Sequence, residues 1–448
     1  MRILDEGYER VVKLLRRPKP DAGQRYRLSG FCIPFSERGV HLLNNTFTGQ
    51  IWQLEDREWK SLLFLQEHGA DACFIEENGL AELLRSRSIV ELENDDCEEY
   101  LSMLEILRLM RKPAAGYESY VIFPTTGCNA RCVYCFESGY VKQAMTEENA
   151  RAVVEFIERT HADARVKFRW FGGEPFAAAS RIDFICEEVA KRGIDFSSSI
   201  VTNASLVTPE LAKRAKELWR LGKAQVSLDG DRASYEARKR YADPERHNFD
   251  TVLRGIHALD EEGIKIILRC NYDAANLKGL MPFVEELHRE FAQSQNVSLY
   301  FAMLFGERER QDAPLIVRSL REVEDRASEL SLLGEKKRPR SSFRTNFCMA
   351  DNMDRCVVIE PNGCLQHCES LFDCNRFGTV WEGVTDQARF DELKRPHEVE
   401  ACCRCCTFLP ECTPFQKRGC PDERSDYCGE IRLAERNNVL HRLAAKQE

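Results

Sequence analysis

The 448-residue chain has no apolar run approaching the roughly 18 residues that a membrane-spanning helix needs, and its mean hydropathy is −0.44. It also lacks a cationic surplus. Lys and Arg number 64 against 73 Asp and Glu, a net charge of −9, so no global basic field is available to hold duplex nucleic acid. The first residues, MRILDEGYERVVKLLRR, thread charges through their apolar positions and lack the apolar core of a signal peptide. Internal repeats and low-complexity segments are absent as well. These absences predict a cytoplasmic protein with neither membrane nor nucleic acid as a partner. With 43% hydrophobic and 31% charged residues the composition is ordinary for a globular protein and excludes a mainly disordered chain. The length allows roughly two to four domains.

What the chain has in excess is cysteine, 20 residues against nine histidines. Eight are spread over positions 32 to 270 and twelve fall between 348 and 428. A secreted disulfide scaffold is usually short and carries a signal peptide. In a long chain without one, dense cysteine points to metal, and scarce histidine favours all-thiolate sites.

Residues 1–95 begin with a short amphipathic helix carrying Val11, Val12, Leu14 and Leu15, followed by the strand-like runs YRLSGFCI, GVHLL and QIWQL. The NNTFTG segment supplies the turn before the last of these. A helix is expected over Asp56–Glu67, another around GLAELLRSR, then a strand at SIVEL. Strands, two helices and a strand form the pattern of a small winged-helix module. Residues 96–118 read as a linker helix ending near Pro113. Over 119–304, strands at YVIFP, VKFRWF, SSIVT, AQVSL, KIILRC and VSLYFAM alternate with helical segments. Such alternation argues for a parallel sheet, open or curled, with functional residues on loops after the strand ends. Residues 305–346 are a charged bridging segment, and 347–448 hold the cysteine cluster.

The sharpest motif follows the first of those six strands: Cys128, Cys132 and Cys135 in C-x3-C-x2-C spacing. Three thiolates on one loop can take one corner of a [4Fe–4S] cluster and leave an iron without a protein ligand. After the second strand comes Trp170-Phe171-Gly172-Gly173-Glu174-Pro175, where two glycines permit close backbone approach and a carboxylate can accept from an ammonium. With Tyr134 as the aromatic residue before the third cysteine, this region resembles the radical S-adenosylmethionine (radical SAM) enzymes. That resemblance implies a partial (β/α)6 TIM-type barrel within an α/β protein. It implies that SAM chelates the open iron and is cleaved to a 5′-deoxyadenosyl radical that abstracts hydrogen from substrate. It makes Gly172, Gly173 and Glu174 the holders of SAM's amino end. Thr202 and Asn203 match the family's T-N-G segment with Ala204 in place of the glycine, and Ser227 and Arg269 match further SAM contacts. Asp229 and Arg238 fall where SAM or substrate contacts occur.

The last hundred residues are similar to the SPASM extension of that superfamily. Cys348 is followed by fourteen residues, Gly363, four residues and Cys368; later come Cys403-x2-Cys406-x5-Cys412, then Cys420 after seven residues where the pattern has three, and Cys428. The resemblance implies two auxiliary [4Fe–4S] clusters, one on Cys348, Cys368 and Cys420 with Cys356 as the alternative fourth ligand, the other on Cys403, Cys406, Cys412 and Cys428. Cys402 and Cys405 offer a frame shifted by one residue that breaks the spacing to Cys412. The front module resembles precursor-recognition domains that take a leader peptide as an added strand. Together these imply a maturase that acts on a ribosomally made precursor peptide, with a flavodoxin- or ferredoxin-type electron donor, and that forms a thioether from Cys. The alternatives are carbon–carbon or carbon–oxygen cross-linking, epimerisation or sulfatase maturation and, from another class, a non-enzymatic iron–sulfur electron carrier or redox sensor.

Overall fold

The computed structural model describes residues 1–15, 18–111, 115–162, 165–304, 313–333, 343, 352–369, 373–394, 399, 401–404, 406–411, 436–437, 439–441 and 443–444. The chain forms two compact units. One comprises residues 1–112, 335–347 and 397–448; the other comprises 113–334 and 348–396. The segment 347–448, read from sequence as one cluster-bearing domain, is thus divided between them. Among the described residues no helix is long and apolar enough to cross a membrane.

Among its described residues the first unit contains seven short strands: β1 (Arg2–Asp5), β2 (Arg25–Leu28), β3 (Cys32–Glu37), β4 (Val40–Asn45), β5 (Ile51–Leu54), β6 (Ala70–Asp71) and β7 (Ile89–Glu91). They make two antiparallel sheets in the orders β1-β5-β4-β3 and β6-β2-β7. The run YRLSGFCI is therefore two strands in different sheets. The break falls at Ser29, whose carbonyl accepts from Cys32 N at 3.0 Å and whose hydroxyl accepts from Phe31 N at 3.2 Å. The NNTFTG turn forms as expected, because Asn45 Oδ1 caps the amides of Phe47 and Thr48 at 2.9 and 3.1 Å. Gly49 (φ +74°) is required there, since a Cβ would lie 2.8 Å from the Tyr8 ring. The QIWQL strand is interior, pairing with β1 on one side and β4 on the other. The expected helix over 56–67 spans Asp56–His68, and a further helix at Ala72–Glu77 escaped the sequence pattern. Cys403 and Leu409 are buried in a cluster with Tyr8, Val11, Phe47 and Tyr100.

The second unit is built on β8 (Ser119–Thr125), β9 (Val166–Gly172), β10 (Phe196–Thr202), β11 (Leu221–Ser227), β12 (Lys265–Tyr272) and β13 (Val297–Met303). All six expected strands form, each paired in parallel with its sequence neighbour. Helices Glu147–Thr160, Ala179–Lys191, Pro209–Glu217, Phe249–Glu261 and Leu280–Phe291 fill the crossovers. Side chains alternate between two faces along each strand. On one face Phe168, Trp170, Ile200, Val226, Ile266 and Leu268 are buried. On the other, Arg169, Ser199, Val201, Gln225, Ser227, Ile267, Arg269 and Tyr300 remain half-buried. Tyr300 on β13 feels both Arg269 beside it and Arg169 on β9. In a flat sheet those strands would stand about 19 Å apart, so the sheet curls around its polar face. A later segment extends it: β14 (Cys356–Ile359) pairs in parallel with β8, and the antiparallel strands β15 (Cys364–Gln366), β16 (Arg376–Thr379) and β17 (Gly383–Val384) follow.

Candidate active site

The three half-buried cysteines Cys128, Cys132 and Cys135 lie on the loop between β8 and the helix Glu147–Thr160, at the C-terminal end of the sheet. The loop is held by its backbone. Its stem is tied where Thr126 N donates to Gln143 O at 2.9 Å and Gly127 N to Thr125 Oγ1 at 2.9 Å. Its tip leans on the end of the helix Arg232–Lys239 and the turn that follows, through Arg131 N to Lys239 O at 3.1 Å and Val133 N to Arg238 O at 3.0 Å. Ala242 N donates to Asn129 O at 2.9 Å from the same segment. Cys128 Sγ receives the amide of Ala130 at 3.4 Å and lies 3.9 Å from Asn203 Nδ2.

The donor set suits an iron–sulfur cluster. Burial, with the Glu174 carboxylate second, pushes the Cys128 thiol up to about 12. Burial also raises Cys135. Thiols of that kind ionise against a metal's positive charge. Among the described residues no three His, Cys, Asp or Glu side chains converge around one ion, whereas a four-iron cluster spreads its thiolates over the corners of a cube.

The Gly172-Gly173-Glu174 segment bonds to the stem of the cysteine loop. Gly173 N donates to Thr125 O at 3.1 Å and Glu174 N to Gly127 O at 2.9 Å. A Cβ on Gly172 (φ +112°) would lie 2.3 Å from Thr125 O, and one on Gly173 would lie 2.2 Å from Gly127 O. The close approach that demands glycine is chain against chain. Glu174 is fully buried. Its Oε1 accepts from Thr202 Oγ1 at 2.7 Å and Phe176 N at 3.1 Å, and its Oε2 from Asn203 N at 2.8 Å. Burial nonetheless raises its pKa. Glu174, Thr202 and Asn203, expected from the resemblance to touch SAM, thus form a bracket between β9 and β10. Asn203 Nδ2 extends it to the cysteine loop at Asn129 Oδ1, 2.8 Å away. Ala204, where the resembling motif has glycine, takes the left-handed conformation at φ +60°, which explains the glycine preference.

Gly255 lies under this turn, where a Cβ would fall 2.2 Å from Ala204 O. Gly255→Ala is expected to destabilise the unit by about 1–3 kcal/mol, read as a lower thermal midpoint. An unchanged midpoint would show that the turn has room to yield.

Tyr134 points into a buried polar cluster. Its hydroxyl donates to Asp229 Oδ2. Asp229 Oδ1 accepts from Asn271 N and Nδ2, both at 2.9 Å, and Arg269 Nε donates to Asn271 Oδ1 at 2.9 Å. Ser227 is half-buried at the end of β11, paired in register with Arg269. Arg238 clamps Asp273 at 2.8 and 3.0 Å. Its Nε and Nη2 are buried without a partner among the described residues. Lys239, which the sequence did not single out, is buried against Tyr134 at 3.3 Å and Asp229 at 3.9 Å. Burial works against its charge, but Tyr134, Cys132 and Asp229 outweigh it and hold the ammonium well above lysine's usual value. Glu137 was also missed; burial, with Glu369 second, pushes its carboxyl up to about 7. Neither residue carries a motif, since their burial depends on distant segments.

The expected auxiliary ligands divide between the units. Cys356 is buried on β14 beside β8 and Cys368 is half-buried beyond β15, whereas Cys403 is buried and Cys406 half-buried in the first unit. Cys348, Cys412, Cys420 and Cys428 lie outside the described residues.

The radical SAM superfamily model matches residues 122–273. The chain is 28% identical over 169 residues to an Fe-coproporphyrin III synthase of Methanosarcina barkeri, spanning 37% of this chain and 40% of that relative's length. Among solved structures it is similar to anSMEcpe bound to AdoMet and the Cp18Cys peptide, with TM-score 0.56 and 17% identity over 74% of this chain and 99% of that one. It is also similar to Streptococcus suis SuiB bound to the precursor peptide SuiA, with TM-score 0.50 and 16% identity over 87% and 94% of the two chains. At these identities the likeness to solved structures is one of fold.

Proposed function

We propose that this protein, whose residues 122–273 are a radical SAM domain, is a maturase that modifies a ribosomally made peptide, most simply by joining a Cys thiol to a carbon as a thioether. The observation that carries the reading is the loop of Cys128, Cys132 and Cys135 seated at the C-terminal end of a curled parallel sheet whose inner face is polar and half-buried. When bound, the cluster and SAM supply a 5′-deoxyadenosyl radical. The chain's own residues do the rest. Glu174, Thr202, Asn203 and Asn129 fix the loop against β9 and β10. Gly172 and Gly173 let those strands close on its stem. In the proposal, Tyr134, Ser227 and Arg269 face SAM, and Arg169 and Tyr300 line the cavity that takes the peptide.

A peptide substrate is supported by peptide-bound structures of similar fold, anSMEcpe with Cp18Cys and SuiB with SuiA. We assign the antiparallel sheets of the first unit to leader recognition by an added strand, and the C-terminal cysteines to two auxiliary clusters. Because QIWQL is paired on both sides, docking belongs to an edge strand instead. Deleting residues 1–95 would be a poor test. It would strip Cys403 and Leu409 of the Tyr8, Val11 and Phe47 side chains that bury them.

The test uses the full chain, reconstituted anaerobically and given SAM, a low-potential reductant and cysteine-rich peptides encoded beside its gene. The expected outcome is reductive formation of 5′-deoxyadenosine together with a peptide that has lost a pair of hydrogens and a thiol that can be alkylated. Loss of the hydrogens with every thiol still alkylated would replace the thioether by a carbon–carbon or carbon–oxygen bond. Failure to cleave SAM under any condition would overturn the enzymatic reading.

A further inference from the structure

We propose that Lys239 is a positioning residue whose buried ammonium sets the electron affinity of the cluster held by Cys128, Cys132 and Cys135. The proposal rests on the reading of that loop as a cluster site.

Lys239 ends the helix Arg232–Lys239 and is 3% exposed. It meets the cysteine loop twice. Its carbonyl accepts from Arg131 N at 3.1 Å, between Cys128 and Cys132. Its Nζ donates at 3.3 Å to the hydroxyl of Tyr134, between Cys132 and Cys135. The ammonium stands 5.8 Å from the Tyr134 ring centre and 5.7 Å from that of Tyr235, where aromatic faces attract a cation. Among the described residues the carboxylate within ion-pair distance is Asp229, at 3.9 Å, and the more distant Glu174 also feels the ammonium.

Stability does not account for this charge. Asp229 already accepts from Asn271 N, Asn271 Nδ2 and the Tyr134 hydroxyl, so its lone pairs are served without the lysine. Replacing a buried ion pair by apolar residues of similar size is commonly neutral or stabilising. A cation kept at the inner wall of the cysteine loop acts instead on the site beside it. When a cluster takes up one electron from a low-potential donor, no bond is made or broken and its charge falls by one. A fixed positive charge at short range in a low-dielectric interior favours that more negative form. Asp229, on the far side of the Tyr134 hydroxyl from the ring, opposes it.

The two charges therefore predict opposite signs. In full-length protein reconstituted with iron and sulfide, the midpoint potential is read by dithionite titration followed by electron paramagnetic resonance. Lys239→Met should shift the one-electron equilibrium about tenfold against reduction, a potential lower by about 59 mV. Asp229→Asn should shift it the other way. An unchanged potential in Lys239→Met with its iron retained would overturn the proposal, as would a downward shift in both variants, which is what general loosening of the site would produce. If Lys239→Met fails to hold iron, Asp229→Asn decides alone: a raised potential supports the proposal and an unchanged or lowered one overturns it. Wild-type protein that binds no cluster would instead overturn the reading of the loop itself.

Discussion

Replacing Cys128, Cys132 and Cys135 together by Ala is expected to abolish SAM cleavage. In the proposed reading the three thiolates are the protein's only ligands to the catalytic cluster, and the half-buried Cys128 thiol, raised to about 12, has no use as a thiolate without a metal. Intact protein should carry about twelve irons from three [4Fe–4S] clusters, and the triple variant about eight. Formation of 5′-deoxyadenosine by the triple variant would refute the site. Loss of all twelve irons would mean that the auxiliary cysteines do not hold clusters independently. Zinc in place of iron after anaerobic purification would refute the cluster reading for the C-terminal cysteines.

Gly173→Ala is expected to be nearly as damaging, although the residue is neither a ligand nor a charged group. Its Cβ would lie 2.2 Å from Gly127 O, 2.4 Å from Gly127 C and 2.7 Å from Thr126 O. All three are backbone atoms of the cysteine loop's stem, so no side chain can swing aside and the loop itself must move. A displacement near 1 Å at a reacting centre is worth on the order of a hundredfold in rate. SAM cleavage should fall by about that factor, with iron content reduced. Gly139→Ala, in the same loop with nothing within 4 Å of the new methyl, is the control and should match wild type. Equal rates for the two variants would show that the stem tolerates movement and that the glycines serve another purpose.

The residues legible in the sequence were those whose chemistry is local. The C-x3-C-x2-C loop could be read because a cluster corner is spanned by one short stretch of chain. The six parallel strands could be read because each is a compact apolar-rich run between helical segments, and all six appear within a few residues of where they were expected. Gly172, Gly173 and Glu174 were also found, but what the glycines pack against was not legible. A glycine pair announces a close approach without saying what approaches, and only the pairing of β9 beside β8 showed that it is the stem of the cysteine loop.

What the tertiary structure decided involves partners far apart in the chain. The run YRLSGFCI had the composition of one strand, but its halves pair with different sheets, and QIWQL became interior because β1 lies against it. β14 joins β8 from more than two hundred residues away, and Cys403 packs with Tyr8 from nearly four hundred residues away. Lys239 is the plainest case. In ASYEARKRY it is one charge among several on a short polar helix, and periodicity assigns such a residue to solvent. It is buried because the cysteine loop, some hundred residues earlier, folds over the end of that helix and brings Tyr134 with it. Side-chain spacing along the chain reports which residues share a face, whereas burial and pairing depend on what the rest of the chain lays against that face.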